Sequence, residues 1–275
     1  MAIISGSFSY LCGTMVPVSS IISMAVGALV GFAAPVALVW WLVKKHNARI
    51  ENVLFGAGVF FLFALILEPI VHQIVLNGPA GSGIIGNTWK YALYGGSMAA
   101  LFEESGRFLA MKFLMKKEPS SAIPGVAYGL GHGGMEMLML FGVGMISNMV
   151  IAIMMNAGQM DALLANVPVD TLEQAQAQLS GIEDITAGTL AIGFWERCSA
   201  LLLQLGLSLT MWTAVRRGGK WLWLIALCFF LHFAVDSCAV VLSKSVGMVA
   251  VELVILALAI AVGAMGWQLA RKLNS

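Results

Sequence analysis

Seven apolar stretches, each long enough to cross a lipid bilayer, dominate this chain: roughly 17–43, 53–76, 89–115, 122–156, 189–215, 221–243 and 246–270. A membrane-spanning helix needs about 20 mostly apolar residues. Only 11% of the 275 residues are charged, against about a quarter in a soluble domain. The predicted fold class is therefore all-α, a polytopic membrane helix bundle of about seven spans, with residues 1–275 forming a single integral-membrane domain. A formal net charge of +1 leaves no basic field for nucleic acid. The cysteines Cys12, Cys198, Cys228 and Cys238 form no CxxC pair, which argues against a disulfide framework or a thiolate metal site. The start, MAIISGSFSYLCGTM, has no basic segment and does not read as a cleaved signal.

The stretch 122–156 is long enough to hide two spans, and the positive charges decide its count, because cytoplasmic loops collect Lys and Arg. Seven spans with an outside N-terminus and a cytoplasmic C-terminus place Lys44, Lys45, Arg49, Lys112, Lys116, Lys117, Arg216, Arg217, Lys220, Arg271 and Lys272 inside. Lys90 and Lys244 remain outside. Splitting the stretch would move Arg216, Arg217 and Lys220 to the outer side. The polar segment 157–188 is then extracytoplasmic and carries Asp161, Asp170, Glu173, Glu183 and Asp184 without Lys or Arg. Within it, Asp170 and Glu173 read as a helix start and Gly181 as its stop. Such a helix is either part of a solvated loop or a lid over the outer mouth. The predicted location is a cell membrane, crossed many times, of the bacterial cytoplasmic kind.

Charged residues nevertheless lie inside the spans: Glu68, Glu103, Glu104, Arg107, Glu136, Glu196, Arg197, Asp236 and Glu252, joined by His72, His132 and His232. Each charge at mid-bilayer costs on the order of 2.5–3.5 kcal/mol, so such groups normally face the bundle interior and pair. Glu103 and Arg107 stand at i and i+4, and Glu104 is three residues from Arg107. Tyr128, His132 and Glu136 recur every four residues, as do His232 and Asp236. At about 1.5 Å of rise per residue, Glu103, His132 and His232 lie roughly 18, 15 and 16 Å from their cytoplasmic ends. The three spans thus bring their polar groups to one level. Gly125, Gly129 and Gly133, with Gly131 and Gly134 beside them, allow either close helix packing or a peptide backbone near His132. Glu68 with His72, Glu196 with Arg197, and Glu252 form a second polar set, nearer the outer half, read as structural ion pairing.

Two adjacent glutamates beside an arginine, with two histidines at the same depth, suit hydrolysis of an amide. One carboxylate deprotonates water, Arg107 holds a glutamate ionised, and the histidines stabilise the oxyanion. Asp236 would fix the His232 tautomer or raise its basicity. The set reads as one without metal or other cofactor. The alternative is a divalent metal such as zinc at His132 and His232 with a carboxylate, although HExxH is absent.

Glu103-Glu104-x-x-Arg107, Tyr128-Gly-Leu-Gly-His132-Gly-Gly-Met-Glu136 and His232-x-x-x-Asp236 resemble the motifs of the YhfC family of glutamic-type intramembrane proteases. That family is similar to the wider group of CAAX prenyl endopeptidases, bacteriocin-processing enzymes (CPBP) and PrsW proteases. The resemblance implies Glu103 as the water-activating base, Glu104 as its support, Tyr128 and His132 as the aromatic-x-x-x-His element, and His232 with Asp236 as the last element. Arg107 comes one residue earlier than in the prenyl endopeptidases, and Asp236 replaces their asparagine, as in PrsW-like members. Both departures point away from a CAAX-type substrate.

The expected activity is an intramembrane endopeptidase acting on a membrane-associated peptide or protein, at a site opened toward the cytoplasmic half. Two other classes use the same residues. A proton- or cation-coupled transporter would relay protons along them, but paired repeats are not visible. A non-catalytic membrane partner, such as a bacteriocin immunity factor, would need none of the chemistry.

Overall fold

The computed structural model describes residues 15–167 and 171–273, and among them there is no strand. The helices in chain order are α1 (Val18–His46), α2 (Ile50–Leu76), α3 (Gly81–Ile85), α4 (Thr88–Leu109) and α5 (Ala122–Asn156), then α6 (Met160–Leu164), α7 (Leu172–Glu183), α8 (Ala187–Arg217), α9 (Trp223–Ser243) and α10 (Met248–Ala270). Among the described residues, α1, α2, α5, α8, α9 and α10 are long and apolar enough to cross a membrane. The chain is a multi-pass membrane protein. The seventh expected span, α4, is a full-length helix extended by Ala110–Leu114. Its own Lys90, Glu103, Glu104 and Arg107 depress its hydropathy, so composition alone does not mark it as a span. The stretch 122–156 is one uninterrupted helix.

Among the described residues, three segments have the wider π-type turn: Phe60–Leu67 in α2, Ala110–Leu114 after α4, and Met137–Val143 in α5. Each adjoins a charged motif residue or follows close on one: Glu68, Arg107 and Glu136. The first ends where Pro69 removes a backbone donor. π-turns are rare in proteins and concentrate at functional sites.

The chain folds into two compact units. One comprises Met1–Ala33 and Leu138–Phe194. Its core joins Val16, Met24, Ala152 and Met155 to Leu164, Leu179 and Ile182 from the polar segment. Asn156 at the end of α5 accepts from the Val16 amide (2.8 Å) and donates to its carbonyl (3.0 Å). The expected helix in the polar segment is α7. Asp170 and the Glu173 side chain lie outside the described residues. Gly181 does not end the helix, which runs on to Glu183 because Ile182 is buried in this core.

The other unit comprises Ala34–Met137 and Trp195–Ser275. Its core centres on Met111, Met115, Tyr128, Leu207, Met211, Trp212 and Cys228. Glycines set its closest helix contacts. A Cβ at Gly56 of α2 would collide with the Tyr128 carbonyl of α5, and one at Gly131 with the Val53 carbonyl. Gly125, Gly129 and Gly133 face Trp212, Ser208 and Leu201 of α8. Small residues let backbones approach in this way. Of the two uses the sequence allows for these glycines, close helix packing is the one seen, with α2 and α8 against them.

The basic loops of this unit meet at one end. Arg49 Nη1 donates to Glu118 (2.6 Å), Arg216 to Ser120 (2.9 Å) and the Lys116 carbonyl (3.2 Å), and Arg217 to the Lys272 carbonyl (2.7 Å). Residues sorted by charge in the sequence thus cluster in space.

Candidate active site

Every residue of the site belongs to the second unit. Helix α4 supplies Glu103, Glu104 and Arg107, α5 supplies His132 and Glu136, α8 supplies Gln204, and α9 supplies His232 and Asp236. Glu103, Glu104, Arg107, His132 and His232 are all buried.

Glu103 Oε2 is the point of convergence. His132 Nε2 lies 2.8 Å from it and His232 Nε2 3.9 Å. The other His232 nitrogen, Nδ1, lies 2.8 Å from Glu104 Oε1, which also accepts from Arg107 Nη1 at 2.6 Å. Common depth in the sequence therefore becomes direct contact. Asp236 Oδ2 stands 3.5 Å from His232 Nε2, a longer approach than the 2.8 Å from Glu104 to Nδ1.

Gln204 went unrecognised in the sequence. Arg107 can only donate, so the amide oxygen of Gln204 must face it, and Arg107 Nη2 donates there. The amide nitrogen consequently turns the other way and donates to Glu103 Oε2 (2.9 Å) and Glu136 Oε2 (3.1 Å). The available signal was a lone amide in the run Leu201-Leu202-Leu203-Gln204-Leu205. With Gln204 in place, Glu136 connects onward to Arg197 (2.9 Å), which is also bonded to Glu196. Two members of the second polar set thus join the first through one network.

Glu68 and His72 bond to each other, and Glu68 also lies within reach of the charges of Glu103, His232 and Asp236. His72 Nε2 lies 3.1 Å from Glu68 Oε1, and Nδ1 lies 2.9 Å from the Tyr94 hydroxyl. Tyr128 stacks on His132 with ring centroids 6.0 Å apart, and Phe60 meets that imidazole edge-on at 5.3 Å. These rings fix the plane of His132. A polar chamber of about 140 Å3 adjoins the cluster, with Glu103, His232 and Asp236 on its wall. It also reaches Glu136, Glu196, Arg197 and Glu252. The chamber runs from Glu103 away from the basic end of the unit.

In kind, the donors fit a divalent metal: two imidazoles stand at Glu103 Oε2, the Asp236 carboxylate lies 3.5 Å from His232 Nε2, and zinc takes both types of ligand. Glu104 on the far nitrogen of His232 is the outer partner that commonly aims a ligating imidazole. Among the described residues, no three His, Cys, Asp or Glu side chains stand as a formed metal cage.

Residues 29–261 match the sequence model of the YhfC family, described as intramembrane metalloprotease. A relative in Bacillus subtilis (strain 168), the uncharacterized membrane protein YhfC, is 36% identical over 205 residues, covering 74% of this chain and 78% of its own length. No solved structure matches.

Proposed function

The chain belongs to the YhfC family, and on that premise we propose that it is an intramembrane endopeptidase whose water-activating base is Glu103. The observation that carries the reading is the placement of one carboxylate oxygen between two imidazole nitrogens, at the wall of a polar chamber inside apolar helices. In this reading all seven spans, α4 included, cross the membrane with the basic loops in the cytoplasm. The glutamic-type assignment, within the group of CPBP and PrsW proteases, is part of the proposal.

Glu103 removes a proton from water as its oxygen attacks the scissile carbonyl. The same carboxyl then returns that proton to the departing nitrogen, so the peptide bond breaks as the new carboxylate forms. Gln204 and His132 hold the carboxylate in place. His232, anchored through Nδ1 by Glu104 and Arg107, turns Nε2 toward the reacting centre, where in its doubly protonated form it donates to the oxyanion. His132, His232 and Asp236 are the residues that would hold a divalent metal. Such an ion would supply a positive centre for the same oxyanion.

The test is cleavage by the purified protein in proteoliposomes containing a mixture of single-pass membrane peptides. New termini are read by mass spectrometry in water enriched in oxygen-18. Fragments carrying solvent oxygen in their new carboxylate are expected. Absence of any new terminus, with proton-driven uptake instead, would favour a transporter. Dialysis against a chelator decides the metal: loss of cleavage restored by zinc places an ion at the histidines, whereas full retention leaves Glu103 to act on water alone.

A further inference from the structure

The chamber beside Glu103 has a charge imbalance that the hydrolytic reaction does not use. Five carboxyl groups line it, those of Glu103, Glu136, Glu196, Asp236 and Glu252, against the Arg197 guanidinium and the His232 imidazole. Glu136 and Glu196 share Arg197, and Glu103 is held by His132 and Gln204. Glu252 is different. It is only 6% exposed, and its buried Oε2 has no hydrogen-bond partner, although it belongs to the chamber wall. The Arg197 charge acts on Glu252 without a hydrogen bond and is offset by that of Glu196, and a carboxylate so weakly compensated away from water is costly, more so in a membrane. A cation in the chamber would complete it.

Helix direction says where that cation comes from. Glu252 lies in the second turn of α10, whose other end leads to Arg271 and Lys272. Glu196 and Arg197 lie in the first half of α8, which ends at Arg216 and Arg217. The chamber therefore extends from the reacting centre toward the end of the bundle opposite the basic loops. We propose that it is a cation-selective subsite, reached from that opposite end, which takes an ammonium or guanidinium group of the substrate next to the bond being cut. The class of substrate is then a membrane peptide with a Lys or Arg side chain on that side of the scissile bond.

Assigning the cation to a substrate rests on the peptidase reading, whereas the charge preference of the chamber does not. The test therefore reads labelling rather than cleavage. Ala200 lines the chamber, and Ala200→Cys is made in a chain whose Cys12, Cys198 and Cys238 are replaced by serine. The cationic reagent MTSET and the anionic reagent MTSES are applied in liposomes, each rate taken relative to that with a free thiol. A preference of about tenfold for the cation is expected, the low end of what charged clefts produce. Glu252→Gln, and separately Glu196→Gln, should each reduce that preference severalfold. n-Butylammonium should slow the labelling, while magnesium at equal ionic strength should not. Equal relative rates, a preference untouched by both substitutions, or protection by magnesium but not by n-butylammonium overturns the proposal. Absence of peptidase activity from the unsubstituted protein, with the preference intact, would count against the catalytic reading alone.

Discussion

Replacing Arg107 with methionine is expected to lower stability by about 3–5 kcal/mol, the range found when one partner of a buried ion pair is removed. Arg107 is 0% exposed, donates to Glu104 at 2.6 Å and also donates to Gln204. Methionine fills most of the same space but leaves Glu104 with only His232 beside it. The carboxylate then has neither water nor guanidinium, and the Gln204 oxygen loses its donor. The double variant Arg107→Met, Glu104→Gln removes both charges and is expected to be less destabilised than Arg107→Met alone. Chemical or thermal unfolding in lipid or detergent provides the comparison. A loss below about 1 kcal/mol for the single variant, the scale of an exposed pair, would show that Arg107 is not the counter-charge drawn here.

Glu103→Gln is expected to slow cleavage about a thousandfold, within the range attributed to a positioned general base, while the helices stay assembled. Glutamine keeps the shape of the side chain and can still bond His132, but it cannot accept the proton of water. The decrease should appear in kcat rather than KM, because the group acts on the reacting atoms and not on the remote parts of the substrate. Glu51→Gln provides the comparison. Its residue is exposed and pairs with Arg49 rather than with any residue of the site, so a change of less than a few fold is expected.

Much of this arrangement is legible in the sequence because it rests on spacing. Apolar runs give the membrane helices, and repeats of three and four residues place Glu103, Glu104 and Arg107, or Tyr128, His132 and Glu136, on common faces. The sorting of Lys and Arg anticipates the loop contacts of Arg49, Arg216 and Arg217. Spacing along one helix says nothing about which partner a neighbouring helix offers. Glu104 therefore holds His232 more closely than Asp236 does, although Asp236 sits one turn away on the same helix. Glu136 turns to Arg197, 61 residues distant. Gln204 escapes notice for the same reason: a single uncharged amide on an apolar helix acquires its role only when Arg107, Glu103 and Glu136 surround it. The glycines of α5 are visible as a ridge, but whether the ridge receives a helix or a substrate depends on where α8 and α2 lie. In α7, tertiary burial of Ile182 outweighs the tendency of Gly181 to end a helix.

That α4 and α9 act together on one reacting centre is tested most directly by a double-mutant cycle in turnover between Glu103→Gln and His232→Gln, measured on one cleaved membrane peptide. Residues of a single catalytic unit are strongly non-additive. The double variant should be no more than a few fold slower than the slower single variant. Rate losses that multiply in full would mean that the two side chains work independently, and would contradict the shared site.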